Sequence, residues 1–183
     1  MRYIAGIDPG LTGAIVALDF EAYEMHIWDT PVSIVKMSGG QKRKRPEPQG
    51  FVDIFTALPI DYAMIENVHS TPNDGHVGAF TFGKVTGIAI GVIHGLDIPL
   101  AQVQPAKWKY AMQVPAVKEA SKARASQLFP HCTAGWGRAS DHGRAEAAVI
   151  ALYAAIVLEL KPERAFKLAT INGVEFQPKK VAA

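Results

Sequence analysis

The chain has 183 residues, 49% of them hydrophobic, which predicts one compact domain with a sizeable core and excludes a disordered chain. The formal net charge of +2 does not by itself indicate a polyanionic partner. The single cysteine, Cys132, excludes an internal disulfide and a cysteine-based zinc cage. Because Asp8 interrupts the early apolar run, we expect no secretory signal, and we expect a reducing, cytoplasmic compartment.

The first third of the chain predicts strands, then a basic loop and a short helix. Apolar runs predict strands at 2–8, 13–20 and about 24–29, the first two joined by a Pro-Gly turn. The segment 37–50 contains a run of four basic residues with glycines and prolines, so we expect a mobile loop there. Residues 50–58 show a helical repeat of apolar side chains.

The remaining residues alternate strands and helices. We expect strands at 62–65 and 100–103 and helices at about 78–95, 116–129 and 144–160. The apolar stretches 85–96 and 145–160 are too short to span a membrane, so we expect buried core helices and no membrane partner. This order of elements predicts an α/β domain with a mixed sheet at 1–160, followed by a C-terminal extension at 161–183 that forms a hairpin or a loose tail.

Two carboxylates end short apolar strands. Asp8 follows Ile4-Ala5-Gly6-Ile7, and Glu66 follows the predicted strand at 62–65. The ends of strands in an α/β sheet converge on the ligand crevice, where two carboxylates repel each other unless they are protonated or bridged by a cation. Mg²⁺ and Mn²⁺ are hard ions that suit such oxygen ligands. The alternative for Asp8 is a surface residue in a Pro-Gly hairpin.

A third acidic group opens the last core helix. Glu146 lies on the apolar face of this helix and therefore points toward the sheet, where a metal shared with Asp8 would satisfy it. His142 lies four residues earlier and shares that face if the helix already includes it. Asp141 reaches the same site only if the backbone leaves the helix near Gly143, and it is alternatively an N-cap. Asp141 and His142 therefore compete for one ligand position.

Basic residues form local clusters that would bind a polyanion through one face of the protein. The candidate DNA contacts are Lys42, Arg43, Lys44, Arg45, Lys107, Lys109, Lys118 and Lys122. We expect the run from Lys42 to Arg45 to form a flexible clamp that binds phosphates, or alternatively a solvated loop. Trp108 between two lysines is either a stacking surface for a base or a core residue.

Glycines recur at every fourth position of the predicted long helix, at Gly83, Gly87, Gly91 and Gly95. Each glycine costs about 1 kcal/mol relative to alanine in a helix, a cost that makes sense if the stripe lets another helix approach closely. The partner is either the last helix of the same chain or the same helix of a second subunit. We favour a two-fold homodimer with Gly83, Gly87 and Gly91 at its interface.

The chain resembles the RuvC-like Holliday-junction resolvases of the RNase H-like superfamily, and in particular their phage-encoded branch. The matching pieces are Gly6-Ile7-Asp8-Pro9-Gly10-Leu11-Thr12-Gly13, Asp29-Thr30-Pro31, Ile65-Glu66 and Gly143-Arg144-Ala145-Glu146-Ala147. Their order and spacing fit across nearly all of residues 1–160. Each motif alone is weak, but four of them in register are specific.

The resemblance implies an RNase H-like fold with a mixed five-stranded sheet flanked by helices. It implies that Asp8, Glu66, Asp141 and Glu146 are catalytic, that these residues or His142 hold two Mg²⁺ or Mn²⁺ ions, and that Lys118 contacts DNA near the cut. The family's bacterial enzymes usually place two carboxylates three residues apart, whereas Gly143 stands at the earlier position here, so the fourth ligand stays open between Asp141 and His142.

The implied activity is metal-dependent endonucleolytic cleavage by a homodimer, with Holliday junctions as the substrate and forks and flaps as further candidate substrates. Two-metal-ion hydrolysis would make paired symmetric nicks that leave 5′-phosphate and 3′-hydroxyl ends, in a bacterial cytoplasm if the protein is phage-encoded. One alternative is a non-catalytic module that binds branched DNA, which would keep the basic clusters but lose the carboxylates. Another is an actin-like or sugar-kinase-type phosphate-binding protein, whose folds need a second half and a much longer chain.

Overall fold

The computed structural model describes residues 2–67, 75–115, 117 and 119–177. The strands are β1 (Tyr3–Asp8), β2 (Ala14–Asp19), β3 (Glu24–Asp29), β4 (Val32–Lys36), β5 (Lys42–Pro46), β6 (Ile60–Glu66), β7 (Leu100–Val103), β8 (Lys167–Ile171) and β9 (Val174–Glu175). The helices are α1 (Pro48–Ala57), α2 (His76–Gly95), α3 (Pro105–Ala111), α4 (Ala120–Leu128) and α5 (His142–Val157), with a short 3₁₀ helix at Thr133–Trp136. The candidate DNA contact Lys118 lies outside the described residues.

A mixed sheet forms the centre of the molecule, with helices on both faces. Within the described residues it has seven strands in the order β7-β6-β1-β2-β3-β8-β9. Strand β1 pairs parallel with β6 and antiparallel with β2. The α/β class is confirmed, but the expected count of five strands is wrong, because the C-terminal hairpin β8–β9 adds two strands beside β3. The division into two parts at residue 160 stays a prediction.

The basic run belongs to a hairpin, so the expected mobile loop at 37–50 is wrong. Strands β4 and β5 pair antiparallel, from Val32 opposite Pro46 to Lys36 opposite Lys42. Gly39 and Gly40 have φ of 96° and 80°, a left-handed conformation that glycine adopts without steric cost, and they make the tight turn. Backbone pairing with β4 therefore orders a segment whose side chains are nearly all exposed.

Helix α5 packs closely against β1 and β2, and nearly all of its side chains are buried, as predicted. Gly6 in β1 permits this approach, because a Cβ at this position would collide with the backbone of Ala147 and Ala151. The side chains that are buried on this face of the sheet include Trp108, Phe129 and Trp136. The close packing of α5 on β1 brings the start of the helix next to the end of the strand.

Helix α2 covers part of the opposite face, but it is not the buried core helix that we expected. Only Val85, Ala89 and Ile93 among its described side chains are buried. The glycine stripe points outward, since among the described residues nothing lies within 4 Å of a Cβ built at Gly83, Gly87, Gly91 or Gly95. This excludes α5 as the partner of the stripe. With 20 residues and a mean hydropathy of 1.4, α2 is long and apolar enough to cross a membrane, a test that core helices of soluble proteins and signal sequences also pass.

Candidate active site

Three carboxylates form a cluster at one edge of the sheet. Asp8 ends β1, Glu66 ends the adjacent parallel strand β6, and Glu146 lies in the first turns of α5. One oxygen from each carboxylate lies within 4.8 Å of the others. Gly143 leaves the room for this approach, since a Cβ there would lie 2.7 Å from Asp8 Oδ2. The structure thus brings together residues that are separated by up to 138 positions in the chain (146 − 8).

The cluster is electrostatically strained in the absence of a cation. Burial raises the pKa of Asp8 well above its ordinary value, and the charges of Glu146 and Glu66 raise it further. Burial also raises the pKa of Glu66, although the hydrogen bond from Trp108 opposes this. The ammonium group of Lys109 lowers both pKa values but offsets only one of three possible negative charges.

The donor set fits a hard divalent ion. Oxygen ligands from several carboxylates at close range are the coordination that Mg²⁺ and Mn²⁺ prefer in proteins. Neighbouring side chains donate hydrogen bonds to one oxygen of each glutamate. Glu66 Oε1 accepts from Trp108 Nε1 at 2.8 Å. Glu146 Oε1 accepts from Ser121 Oγ at 2.7 Å and from Lys109 Nζ at 3.1 Å. All three of these hydrogen bonds fall on Oε1 of the glutamates.

Asp141 and His142 lie next to the cluster but, among the described residues, do not belong to it. Both oxygens of Asp141 are engaged by Arg138, since Oδ2 accepts from the backbone N at 3.0 Å and Oδ1 accepts from Nε at 2.8 Å. Asp141 stands at the N-cap position of α5 without making a side-chain capping hydrogen bond. His142 Nε2 lies 3.6 Å from Glu119 Oε1, and its buried Nδ1 has no hydrogen-bond partner in the described structure.

Asp29, from the matching Asp29-Thr30-Pro31 segment, joins α5 to the C-terminal hairpin. Its two carboxylate oxygens accept from Arg144 Nε and Nη2, each at 2.6 Å, and Oδ2 also accepts from Asn172 Nδ2 at 3.0 Å. Burial would raise the pKa of Asp29, but these hydrogen bonds hold it below its ordinary value. Asp29 therefore supports the helix that carries Glu146 and is not part of the acidic cluster.

The basic run borders a groove that leads to Asp8. Residues Lys42 to Arg45 of β5 line a groove of about 570 Å³ together with Phe80 and Lys84 of α2. A second groove of about 410 Å³ is lined by Asp8, Gly10 and Phe82. The two grooves share three lining residues: Leu11, Val77 and Thr81. A continuous surface therefore runs from the basic hairpin to the acidic cluster.

The other predicted DNA contacts have different surroundings. Lys107 is exposed, Lys109 points at Glu146, and Lys122 Nζ donates to the backbone oxygen of Arg138 at 2.7 Å. Trp108 is fully buried, so its assignment as a stacking surface for a base is wrong and the core alternative is confirmed. Sequence reasoning missed that Trp108 and Ser121 contact the acidic cluster. A buried indole N–H needs an acceptor, but its identity was not visible in the sequence.

Comparison with known proteins supports the architecture. No protein-family model matches the chain. Over 157 residues the chain is 26% identical to the chloroplastic Holliday junction resolvase MOC1 of Chlamydomonas reinhardtii, a match that covers 74% of this chain and 18% of that protein. The chain therefore spans about a fifth of the length of this curated relative.

Two solved structures of Thermus thermophilus RuvC share the fold. One, a complex with a Holliday junction substrate, has a TM-score of 0.59 and 15% identity, covering 88% of this chain and 98% of that chain. The other has a TM-score of 0.54 and 16% identity, covering 87% and 97%. The RNase H-like fold that the sequence resemblance implied is thereby confirmed.

Proposed function

We propose that this chain, RuvC-like in fold, is a metal-dependent endonuclease that resolves Holliday junctions and also cuts other branched DNA. The observation that carries the proposal is the cluster of Asp8, Glu66 and Glu146 at adjacent ends of β1, β6 and α5. The name of the similar chloroplastic protein and the junction bound to the similar RuvC structure support a four-way junction as the substrate.

The chemistry follows from the donor set. Asp8, Glu66 and Glu146 would hold the divalent ions. Bound Mg²⁺ or Mn²⁺ would activate a water for attack on phosphorus and neutralise the charge that develops on the phosphate. Lys109, 3.1 Å from Glu146, adds a positive charge beside the acidic cluster. A bond from the water oxygen to phosphorus forms and the bond from phosphorus to the 3′ oxygen breaks, which leaves a 5′-phosphate and a protonated 3′-hydroxyl.

The fourth ligand position is best filled by His142. Asp141 already uses both oxygens on Arg138, so recruiting it would break an ion pair in which Arg138 Nη2 lies 2.7 Å from Oδ1. His142 has a ring nitrogen without a hydrogen-bond partner among the described residues and directly precedes Gly143, which lies against Asp8. Neutral imidazole is a common metal ligand, which makes His142 the better candidate for this position.

The DNA path follows the two joined grooves. Phosphates of one duplex arm would contact Lys42, Arg43, Lys44 and Arg45, whose side chains are all exposed on the hairpin. Lys84 lines the same groove from α2. Contacts of this kind are sequence-independent and position the backbone, which suits an enzyme that recognises the shape of a junction. Lys107 lies on α3 and Lys122 on α4, and both would contact a second arm.

We infer that two copies pack through α2. A 20-residue apolar helix with three buried side chains leaves a large exposed apolar face, which is typical of a protein interface. The outward glycines would let two such helices approach closely, and a two-fold axis would present two active sites to one junction. The phage origin and the cytoplasmic location expected from the sequence stay predictions.

The test is cleavage of an end-labelled immobile four-way junction with Mg²⁺ or Mn²⁺. We expect paired symmetric nicks with the wild type and with Asp53→Asn, a control at an exposed carboxylate on α1, and no nicks with Asp8→Asn, which should still bind the junction. Binding without cutting by the wild type would instead identify a junction-binding module. A wild type that neither binds nor cuts branched DNA would contradict the proposal.

A further inference from the structure

We propose that Trp108 and Ser121 are positioning residues that orient the two glutamates of the acidic cluster for a divalent cation. The inference rests on the proposed function, because it concerns the same carboxylates. It adds two uncharged side chains that contact no substrate and act only through Glu66 and Glu146. Both belong to the segment that includes α3 and α4, which lies behind the cluster.

Trp108 fixes Glu66. It lies on α3, directly after β7, and its side chain has no solvent exposure. Its Nε1 donates to Glu66 Oε1 at 2.8 Å, a hydrogen bond between two buried residues. Hydrogen bonds to a carboxylate are shorter and stronger than those between neutral groups, and in a dry environment they restrict the acceptor to one orientation. The indole therefore restricts the orientation of the Glu66 carboxylate.

Ser121 fixes Glu146 in the same way. Ser121 is buried on α4, and its Oγ donates to Glu146 Oε1 at 2.7 Å. Lys109 Nζ reaches the same oxygen at 3.1 Å and lies 5.1 Å from the centre of the Trp108 ring. Trp108 thus contacts one glutamate directly and supports the lysine that contacts the other.

The pattern of contacts is what points to cation binding. Each glutamate receives its protein donors on Oε1, and one oxygen from each of Glu66, Glu146 and Asp8 lies within 4.8 Å of the others. Because the ligands are already oriented before an ion binds, less side-chain conformational entropy is lost on binding. Loss of hydrogen bonds that orient metal ligands typically weakens metal affinity by about 10–100-fold.

The chain provides a matched control pair. Trp136 is also buried, and its Nε1 donates at 2.9 Å to Ser126 Oγ, which in turn donates to the backbone oxygen of Lys122 at 2.9 Å. This tryptophan–serine pair has the same chemistry but contacts no carboxylate in the described structure. Trp136→Phe and Ser126→Ala therefore remove the same atoms without touching the cluster.

The experiment measures Mn²⁺ binding to the DNA-free protein by isothermal titration calorimetry, with thermal unfolding of each cation-free variant recorded in parallel. We expect Trp108→Phe and Ser121→Ala each to weaken Mn²⁺ binding by about 10–100-fold, whereas Trp136→Phe and Ser126→Ala bind like the wild type. If Trp108→Phe unfolds below the working temperature, Ser121→Ala decides the question alone.

Two results would overturn the proposal, and they have different consequences. If the wild type binds Mn²⁺ and cuts junctions while both cluster variants bind Mn²⁺ like their controls, Trp108 and Ser121 do not position the ligands and the proposed function stands. If the wild type binds no Mn²⁺, the inference and the metal-dependent mechanism both fail.

Discussion

At the scale of the residue, the acidic cluster determines how the protein responds to pH. Burial and the neighbouring carboxylates raise the pKa of Asp8 and of Glu66, so the folded protein holds protons that the unfolded chain releases. Between the unfolded pKa of about 4 and the raised folded pKa, the folded state therefore binds more protons, and the free energy of unfolding falls as pH increases. The cluster costs stability at neutral pH unless a cation compensates it.

Asp8→Asn removes one of these charges. We expect this variant to unfold at a higher temperature than the wild type at pH 7 without divalent ions, and the difference to shrink as pH falls toward about 4, because the raised pKa values of Asp8 and Glu66 favour their protonated forms there. Thermal unfolding in a chelating buffer from pH 4 to 8 measures this, with Asp53→Asn as the exposed control. A difference that does not change with pH would argue against repulsion within the cluster.

Substitutions of Asp141 and His142, the two candidates for the fourth ligand, should have different effects on the free energy of unfolding. Asp141→Asn breaks the ion pair of a buried carboxylate with Arg138, which is largely exposed, so we expect a loss of about 1–2 kcal/mol in the free energy of unfolding. His142→Ala should leave stability nearly unchanged and weaken Mn²⁺ binding. Denaturant unfolding and calorimetry together measure both quantities. The reverse pattern, with binding lost only in the Asp141 variant, would assign the position to Asp141.

At the scale of the element, the hairpin β4–β5 presents its charges on an ordered support. Pairing between β4 and β5 holds four consecutive basic residues above the groove at the start of α2. An ordered strand loses less conformational entropy on binding than a mobile loop would. The hairpin is therefore better suited to hold a duplex arm in one orientation than the flexible clamp expected from the sequence.

Replacement of Lys42, Arg43, Lys44 and Arg45 by serine should weaken junction binding through lost phosphate contacts. Because log K falls with log[salt] by about 0.9 for each neutralised phosphate, we expect the slope to become shallower by up to about 3–4. The side chains are exposed, so the thermal unfolding temperature should change little. Fluorescence anisotropy at several salt concentrations measures the slope, with the exposed Lys161→Ser as control. An unchanged slope would place the DNA elsewhere.

At the scale of the whole molecule, α2 carries the surface through which we propose that two copies pack. The helix carries four outward glycines and exposed apolar side chains, among them Phe80, which is 75% exposed. In a monomer such a surface has no stabilising role, and the glycines reduce helix stability. In a two-fold dimer the same surface would be buried, and the two acidic clusters would be held at a fixed separation for paired cuts.

Substitutions at Gly87 should distinguish the monomer from the dimer. Since a Cβ at Gly87 meets open space in the described structure, Gly87→Ala should stabilise an isolated subunit by up to about 1 kcal/mol. Gly87→Leu should keep the fold but prevent close helix packing, so we expect a monomer by sedimentation analysis where the wild type is a dimer. Thr56→Leu, on the exposed surface of α1, is the bulky control. A Gly87→Leu dimer as tight as the wild type would exclude this interface.

Local sequence patterns determined much of the fold because they are set by neighbouring residues. Apolar runs ending in Asp8 and Glu66 predicted both strands and their acidic ends, and parallel pairing of β1 with β6 then required those ends to meet. The Asn172-Gly173 pair, with φ of 52° and 76°, is a local hairpin signal that the sequence contained and that our prediction did not use. It explains why the sheet has two more strands than expected.

Tertiary structure decided what depends on residues far apart in the chain. Trp108 reaches Glu66 across 42 positions and Ser121 reaches Glu146 across 25, and no local pattern specifies which acceptor a buried donor finds. The basic run forms a strand because β4 supplies its backbone partners, although its composition resembles a loop. Likewise, the direction of the α2 glycines follows from which face of the helix the sheet buries. The sequence by itself therefore determined the elements and their chemistry, and packing decided their partners, because hydrogen bonding and burial are satisfied by the whole fold.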